Sequence, residues 1–355
     1  MTLKNTKFEK RLQNLDSKIW KLIAEIDEIK GQWSASAKLT PSILTTLRQS
    51  TLITSAGAST RIEGSHLSDE QVEHVMRGLS VTKFRERDVE EVRGYLEVLP
   101  QVWSGFETIS LREGVIRHLH KQLLQYSKKD EPHRGKYKQK ENIVGVRNEK
   151  GDIESIIFET TKAYLVPKEM TEIVEWTYRA LEEKEVHPLL AIGNFLVEFL
   201  KIHPFEDGNG RLSRILTNVL LLHACYLYMP YVSHEKIIEQ RKEEYYIALR
   251  KSQETFGTDH ESIRPWLQFF LGVVDAQGKQ AMKLLESEHL EDTLSKKQFQ
   301  VWEYIASSQD ASAGGIADHT GIPRPTVNQA LEKLLALGKI KRMGVGRATR
   351  YRKLA

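Results

Sequence analysis

Cysteine is almost absent from this sequence: Cys225 is the only one in 355 residues. Internal disulfides and cysteine-rich zinc sites are thereby excluded. Cys225 closes the apolar run Leu220-Leu221-Leu222-His223-Ala224-Cys225, so it is expected to pack as a small buried hydrophobe. No apolar run approaches the ~18–20 residues that a bilayer crossing requires. A secretory signal is missing too, because Asp16, Glu25, Asp27 and Glu28 interrupt the early apolar stretches. Internal repeats and low-complexity segments are lacking. A cytoplasmic location without membrane attachment is the expectation. Net charge is small as well, +4 from 52 basic and 48 acidic residues. Seven of those bases (Lys339, Lys341, Arg342, Arg347, Arg350, Arg352, Lys353) fall in the last eighteen residues, which hold no acid; the remainder carries 45 against 48. One end can meet a polyanion, while general nucleic-acid character is excluded.

What is present is ordinary globular composition, 40% hydrophobic and 28% charged, in a chain long enough for two or three domains. Most of it has helical periodicity. Phe8, Leu12, Leu15, Ile19, Leu22, Ile23, Ile26 and Ile29 predict one amphipathic helix over 5–30. Pro41 suits a first helical turn before 42–63, Gly64 a C-terminal stop, and Ser68-Asp69-Glu70-Gln71 a capping box. Helices are further expected near 69–78, 86–103, 111–127, 168–183, 188–202, 210–225, 235–254 and 262–286. The interval 133–166 breaks the pattern with three glycines and β-favouring runs at 136–146 and 153–159, which predicts a small hairpin. Lys136, Lys138 and Lys140 would then share one face of its first strand, as a solvated edge guarded by charge. Glu286, Glu288, Glu291 and Asp292 read as an acidic connector. The expected fold is mainly α with a small hairpin.

The strongest signal is His203-Pro204-Phe205-Glu206-Asp207-Gly208-Asn209-Gly210-Arg211-Leu212-Ser213-Arg214. An apolar helix delivers a histidine to a tight turn, and a new helix begins near Gly210. Glycines on either side of Asn209 permit close backbone approach to a ligand. Free N–H groups at a helix start form an anion site. Arg211 and Arg214 lie three apart on one helix face, and Asp207 adds an oxygen ligand of the kind Mg²⁺ prefers. Each residue alone has a plainer explanation in turn or surface chemistry. Their joint occurrence points to phosphate chemistry.

These residues match all eight specified positions of the signature of the Fic family of protein adenylyltransferases, His-x-Phe-x-Asp/Glu-Gly-Asn-Gly-Arg-x-x-Arg. The resemblance covers roughly 100–275, including Arg134-Gly135-Lys136-Tyr137, Asn142-Ile143-Val144-Gly145 and Tyr245-Tyr246. It implies a Fic-type helical core over 100–285, preceded by a helical region (1–99) and followed by an acidic linker (286–293). It further implies AMP transfer from ATP to a Ser, Thr or Tyr hydroxyl of a target protein, the chain itself included. His203 would be the base and Asp207 the Mg²⁺ ligand. Gly208, Asn209, Gly210, Arg211 and Arg214 would hold the phosphates, and Tyr245 would border the adenine. Asn142, Ile143, Val144 and Gly145 would belong to a flap that covers the nucleotide and holds the target segment by strand addition. The lysine-edged strand thus gains a second reading, as a docking edge. Gln253 stands where some relatives have an asparagine near the adenosine. Upstream, Ser59-Thr60-Arg61-Ile62-Glu63-Gly64 resembles the family's inhibitory pattern Ser/Thr-x-x-x-Glu-Gly/Asn, with Arg214 the implied partner of Glu63. A carboxylate at a helix C-terminus is disfavoured by ~0.3–1 kcal/mol, which a nearby cation would repair.

Residues 294–355 read as a separate module: helices at 296–307, near 312–320 and from Pro325 to Leu337, then segments 340–343 and 348–352 around Gly344-Val345-Gly346. This resembles a winged helix-turn-helix. Arg324, Thr326, Asn328, Gln329, Arg347, Arg350 and Arg352 are its candidate DNA contacts. A DNA-binding regulator with a nucleotide-sensing Fic core, and an enzyme that removes AMP, are the alternatives to transfer. The long N-terminal helix could serve a homodimer interface.

Overall fold

The structure, a computed structural model, describes residues 6–36, 41–79, 86–147, 153–308, 310–344, 346 and 349–354. The chain divides into two compact units, 1–282 and 283–355. In the first, α1 (Lys7–Lys10), α2 (Ser17–Ser36), α3 (Pro41–Ile62), α4 (Asp69–Met76), α5 (Glu86–Gly105) and α6 (Glu113–Leu123) precede a hairpin of β1 (Ile143–Arg147) and β2 (Ile153–Glu159). Then come α7 (Val166–Glu183), α8 (Pro188–Ile202), α9 (Asn209–His223), α10 (His234–Gln240), α11 (Lys242–Gln253) and α12 (Arg264–Thr293). Among the described residues, no helix is long and apolar enough to cross a membrane.

The core is built on α8, which is apolar nearly all round and buried from Leu189 to Leu200. A helix with no polar face is stable only when surrounded, and α7, α9 and α11 all pack on it. α9 is buried from Arg211 to Leu222 and packs against α5 as well. Local signals set several boundaries. α3 begins at Pro41; Gly64 follows its end at φ +100°, and Ser68 and Gln71 form the capping box of α4.

Tertiary contacts overrule the periodicity elsewhere. The helix expected over 5–30 is two, because Asn14 turns left-handed (φ +54°) and Asp16 caps α2 by accepting from the Ile19 N–H at 3.0 Å. Between them Arg11 is drawn inward to pair with buried Glu198 at 2.6 Å and with Glu261. The helix expected over 235–254 breaks at Arg241, whose guanidinium lies over the Phe269 ring. Cys225 is exposed, not buried: it takes the left-handed position just after α9 (φ +64°), which turns its side chain outward. The acidic stretch 286–293 is helical backbone at the end of α12, as glutamate and leucine propensities favour. β1 begins at Ile143, so Lys136, Lys138 and Lys140 share no strand face; residues 136–140 instead run over the start of the motif turn, with the Lys138 N–H donating to Pro204. β1 and β2 pair antiparallel, Ile143 opposite Glu159 and Arg147 opposite Ile153, with two register shifts between.

The second unit contains α13 (Lys296–Ser307), α14 (Ala313–Thr320), α15 (Arg324–Ala336), β3 (Ile340–Met343) and β4 (Arg350–Lys353). β3 and β4 pair antiparallel, and Ala311 bridges to Tyr351 beside them. Val301, Ile305, Ile316, Val327, Leu331 and Leu334 form a core of its own.

Candidate active site

The end of α8 and the start of α9 make the site. His203 caps α8 with φ +50°, a conformation uncommon for a residue with a side chain. Its Nδ1 lies 3.3 Å from the Leu200 carbonyl, so Nδ1–H donates there and Nε2 keeps the lone pair in the neutral ring. Burial pushes this imidazole down to about 4; the Leu200 contact opposes the shift and the Lys138 charge adds to it.

Asn209 locks the turn from inside. Its Oδ1 accepts from the Phe205 N–H at 3.0 Å and its Nδ2 donates to the Phe205 carbonyl at 2.8 Å. Asn142 reaches the same carbonyl at 3.1 Å. Gly208 takes φ +79°, which turns the chain into α9. His120 braces the turn from below, where no sequence signal marked it. Its ring stacks on Phe205 at 3.7 Å, its Nδ1 accepts from the Gly135 N–H at 2.8 Å, and its Nε2 donates to the Asp207 carbonyl at 2.9 Å. Burial pushes His120 down to about 4, which keeps the ring neutral, and the two hydrogen bonds fix its tautomer.

Arg211 is buried and joins Asp207 Oδ1 (2.9 Å) to Glu91 of α5 (3.3 Å). Arg87, also on α5, pairs with both Glu91 and Asp207. Burial works to raise the Asp207 carboxyl, but Arg211 and Arg87 outweigh it and hold it below its ordinary value. Among the described residues no three His, Cys, Asp or Glu side chains cluster as a metal site. A lone carboxylate suits Mg²⁺ shared with nucleotide phosphates, since that ion commonly uses one or two carboxylates and keeps its waters.

Arg214 is 2% exposed. Its Nε donates to Ser59 Oγ, and its Nη2 to the Ser59 carbonyl and to Glu63 Oε1, each at 2.8 Å. Glu63 lies just past α3, against the first turn of α9: a methyl group placed on Gly210 would sit 2.1 Å from its Oε1. The Glu63 N–H donates to the Thr60 carbonyl at 3.0 Å, and Arg61, two residues before it, anchors the end of α3 by bonding Glu239, Asp69 and the Leu67 carbonyl.

His203, Asp207, Gly208, Asn209, Gly210, Arg211, Arg214, Ser59 and Glu63 therefore converge, with Asn142 at the edge. Ile143, Val144 and Gly145 lie in β1, and Gly64 in the turn beyond Glu63. Tyr245 lies inside the protein, beside Arg214 and Ser213 of α9. It is 4% exposed, its ring packed among Trp266, Phe269 and Tyr246, because the buried face of α11 carries it inward. Half-buried Tyr246, 3.4 Å from the Ile62 carbonyl, presents the more accessible ring. Gln253 is also inside, on the Val197 carbonyl. Arg324, Asn328 and Gln329 are exposed on α15, with Thr326 half-buried. Arg352 is engaged by Asp310 at 3.0 Å through two nitrogens; Arg350 lies in β4, and Arg347 lies outside the described residues.

Residues 110–221 match the Fic/DOC family, and the chain contains a Fic domain. A probable protein adenylyltransferase of Aquifex aeolicus (strain VF5) is 29% identical over 116 residues, 32% of this chain and 35% of that one. The protein adenylyltransferase Fic of Culex quinquefasciatus is 37% identical over 84 residues, 24% of this chain and 14% of that one. The chain thus spans about a third or less of these curated relatives. A Fic family protein from Desulfovibrio desulfuricans G20 superposes with TM-score 0.63 at 26% identity, over 96% of this chain and 97% of the other. A Fic domain containing signaling protein from Bacteroides thetaiotaomicron VPI-5482 has TM-score 0.61 at 22% identity, over 74% and 97%. The latter establishes fold alone.

Proposed function

We propose that this protein transfers AMP from ATP to a Ser, Thr or Tyr hydroxyl of a protein target, itself included, and that Glu63 restrains the reaction. The observation that carries the reading is the neutral His203 imidazole beside the N-terminal turn of α9, with Nδ1 held by Leu200 and two buried arginines on the same helix. Nε2 takes the proton of the target hydroxyl. The oxygen attacks the α-phosphorus, the new P–O bond forms, and the bond to the pyrophosphate oxygen breaks. N–H groups from Gly208 to Gly210 stabilise charge on the phosphate oxygens, and Arg211 and Arg214 hold the outer phosphates. Mg²⁺, held by Asp207 together with the nucleotide, would supply charge neutralisation on the phosphates. β1 would receive the target segment as an added strand.

Restraint follows from the contact of Glu63 with Arg214. The carboxylate occupies the guanidinium that the terminal phosphate needs, and it places negative charge at the anion site. The test is incubation of Glu63→Gly with labelled ATP, Mg²⁺ and cell lysate, beside Glu63→Gly with His203→Ala. Labelled protein with the first and loss of ~10²–10⁴-fold in rate with the second support the reading. Equal labelling by both eliminates His203 as the base.

A second reading rests on the separate core of 294–354 and the exposed Arg324, Asn328 and Gln329 on α15: a winged-helix module that places α15 in a DNA major groove.

A further inference from the structure

Lys138 is a buried cation that the reaction above leaves unused. It is 3% exposed. Its Nζ donates to Asn142 Oδ1 at 2.6 Å, Thr160 Oγ1 at 2.7 Å and the Ile202 carbonyl at 3.3 Å. Its backbone N–H donates to the Pro204 carbonyl at 2.8 Å. Asn142 immediately precedes β1, and Thr160 immediately follows β2; Ile202 and Pro204 flank His203. Thr160 Oγ1 further donates to the Asn142 carbonyl at 2.6 Å, and Asn142 Nδ2 donates to Phe205. One ammonium, its three donors all used, thus ties both feet of the hairpin to the turn that carries the histidine.

Burial pushes Lys138 down to about 8; Glu141 opposes this and Lys201 adds to it. The three acceptors are neutral. An ammonium buried among neutral acceptors is costly, and an apolar side chain would fill the same space at less cost. Packing does not explain it, whereas fixing two chain segments against each other does.

We propose that Lys138 is a positioning residue for the transfer reaction, holding the hairpin that docks the target in one register against His203. The inference rests on the AMP-transfer reading. It separates two functions: the phosphates are gripped by α9 and its arginines, while delivery of the hydroxyl depends on the hairpin feet. Loss of Lys138 therefore damages transfer while sparing nucleotide binding.

The test uses the full chain with Glu63→Gly as parent. Lys138→Met keeps the length and removes the donors; Lys138→Arg keeps a donor cation. ATP affinity is measured by calorimetry, self-AMPylation at saturating ATP gives the rate, and hydrogen exchange reports on β1, β2, α8 and α9. For Lys138→Met, ATP affinity should stay within about twofold and the rate should fall on the order of 10–100-fold. Amides of β1 and β2 should exchange faster while those of α8 and α9 keep their protection. Lys138→Arg should restore part of both losses. A parent-like rate with unchanged hairpin exchange overturns the proposal. So does a joint loss of ATP affinity, rate and α8–α9 protection, which would mark general destabilisation. Should the parent itself transfer no AMP, the proposed function fails on that result, and hairpin exchange still decides whether Lys138 ties the feet to the turn.

Discussion

His203 can act as a base only while Nε2 is unprotonated, and its surroundings keep it so. Burial dominates, Lys138 adds to it, and the Glu63 and Asp207 charges oppose. Removing Glu63 takes away a raising influence, so the acid limb of Glu63→Gly should lie at or below about 4. Its transfer rate should then be flat from about pH 6 to 7, because deprotonation of His203 is complete well below that window and the Lys138 ammonium, pushed down to about 8, is still charged within it. A limb centred near 6.5, the ordinary histidine value, would mean that the imidazole is solvated and the proposed base poorly chosen. Arg214 gives the matching test of restraint. Glu63→Gly should raise self-AMPylation, and adding Arg214→Ala should abolish the gain, since the freed guanidinium is what the released site uses. Misaligned phosphates can cost on the order of 10²-fold, so a gain of that size is expected in the single variant. An unchanged rate in folded Glu63→Gly protein would reduce Glu63 to a helix-end residue. The motif 203–214 is readable because its groups are contiguous in the chain. His120, 87 residues from Asp207, and Arg87, 120 residues from it, carry no local signal. Lys138 stands out in the sequence only as one of three alternating lysines, a pattern unrelated to its place in the fold.

At the scale of elements, close helix crossings decide which substitutions the fold tolerates. Gly94 of α5 faces the end of α6, where a methyl group would lie 1.9 Å from the Leu123 carbonyl. Backbone cannot yield there without moving α6, and α6 carries His120. Gly94→Ala should therefore destabilise by ~1–3 kcal/mol or more, measured as a shift of the denaturant midpoint, despite alanine's better helix propensity. A stabilised variant would show that α6 shifts freely. Periodicity locates these helices well but not their breaks. Asn14 and Arg241 interrupt continuous apolar patterns because side chains beside them, Arg11 and Arg241 itself, find partners on distant elements. The hairpin is present from Ile143 onward, and the β-favouring run ahead of it is no strand, since residues 136–142 bond to the motif turn instead.

Over the whole molecule, the second unit has its own core, so residues 290–355 should fold as an isolated fragment. That fragment should bind duplex DNA with a steep salt dependence. Substituting Arg324, Arg347 and Arg350 with alanine should lower the slope by roughly 0.9 for each phosphate no longer neutralised. Arg352→Ala should matter less, because Asp310 already engages that guanidinium. A folded fragment with no affinity for DNA at low salt would make the module a protein-docking element.

By itself the sequence determined the helical class, the hairpin, the separate C-terminal module and the tight turn between two helices at 203–214, because periodicity, capping and a contiguous motif are written within short windows. The link from Ser59 and Glu63 to Arg214 entered through resemblance, and geometry made it a set of three bonds at 2.8 Å. Only the tertiary structure decided that Tyr245 turns inward, that Cys225 turns outward, and that His120, Arg87, Glu91 and Lys138 surround the turn. Each of these depends on groups brought together from distant parts of the chain, where burial and a hydrogen-bond partner outweigh any preference of the residue's own neighbourhood.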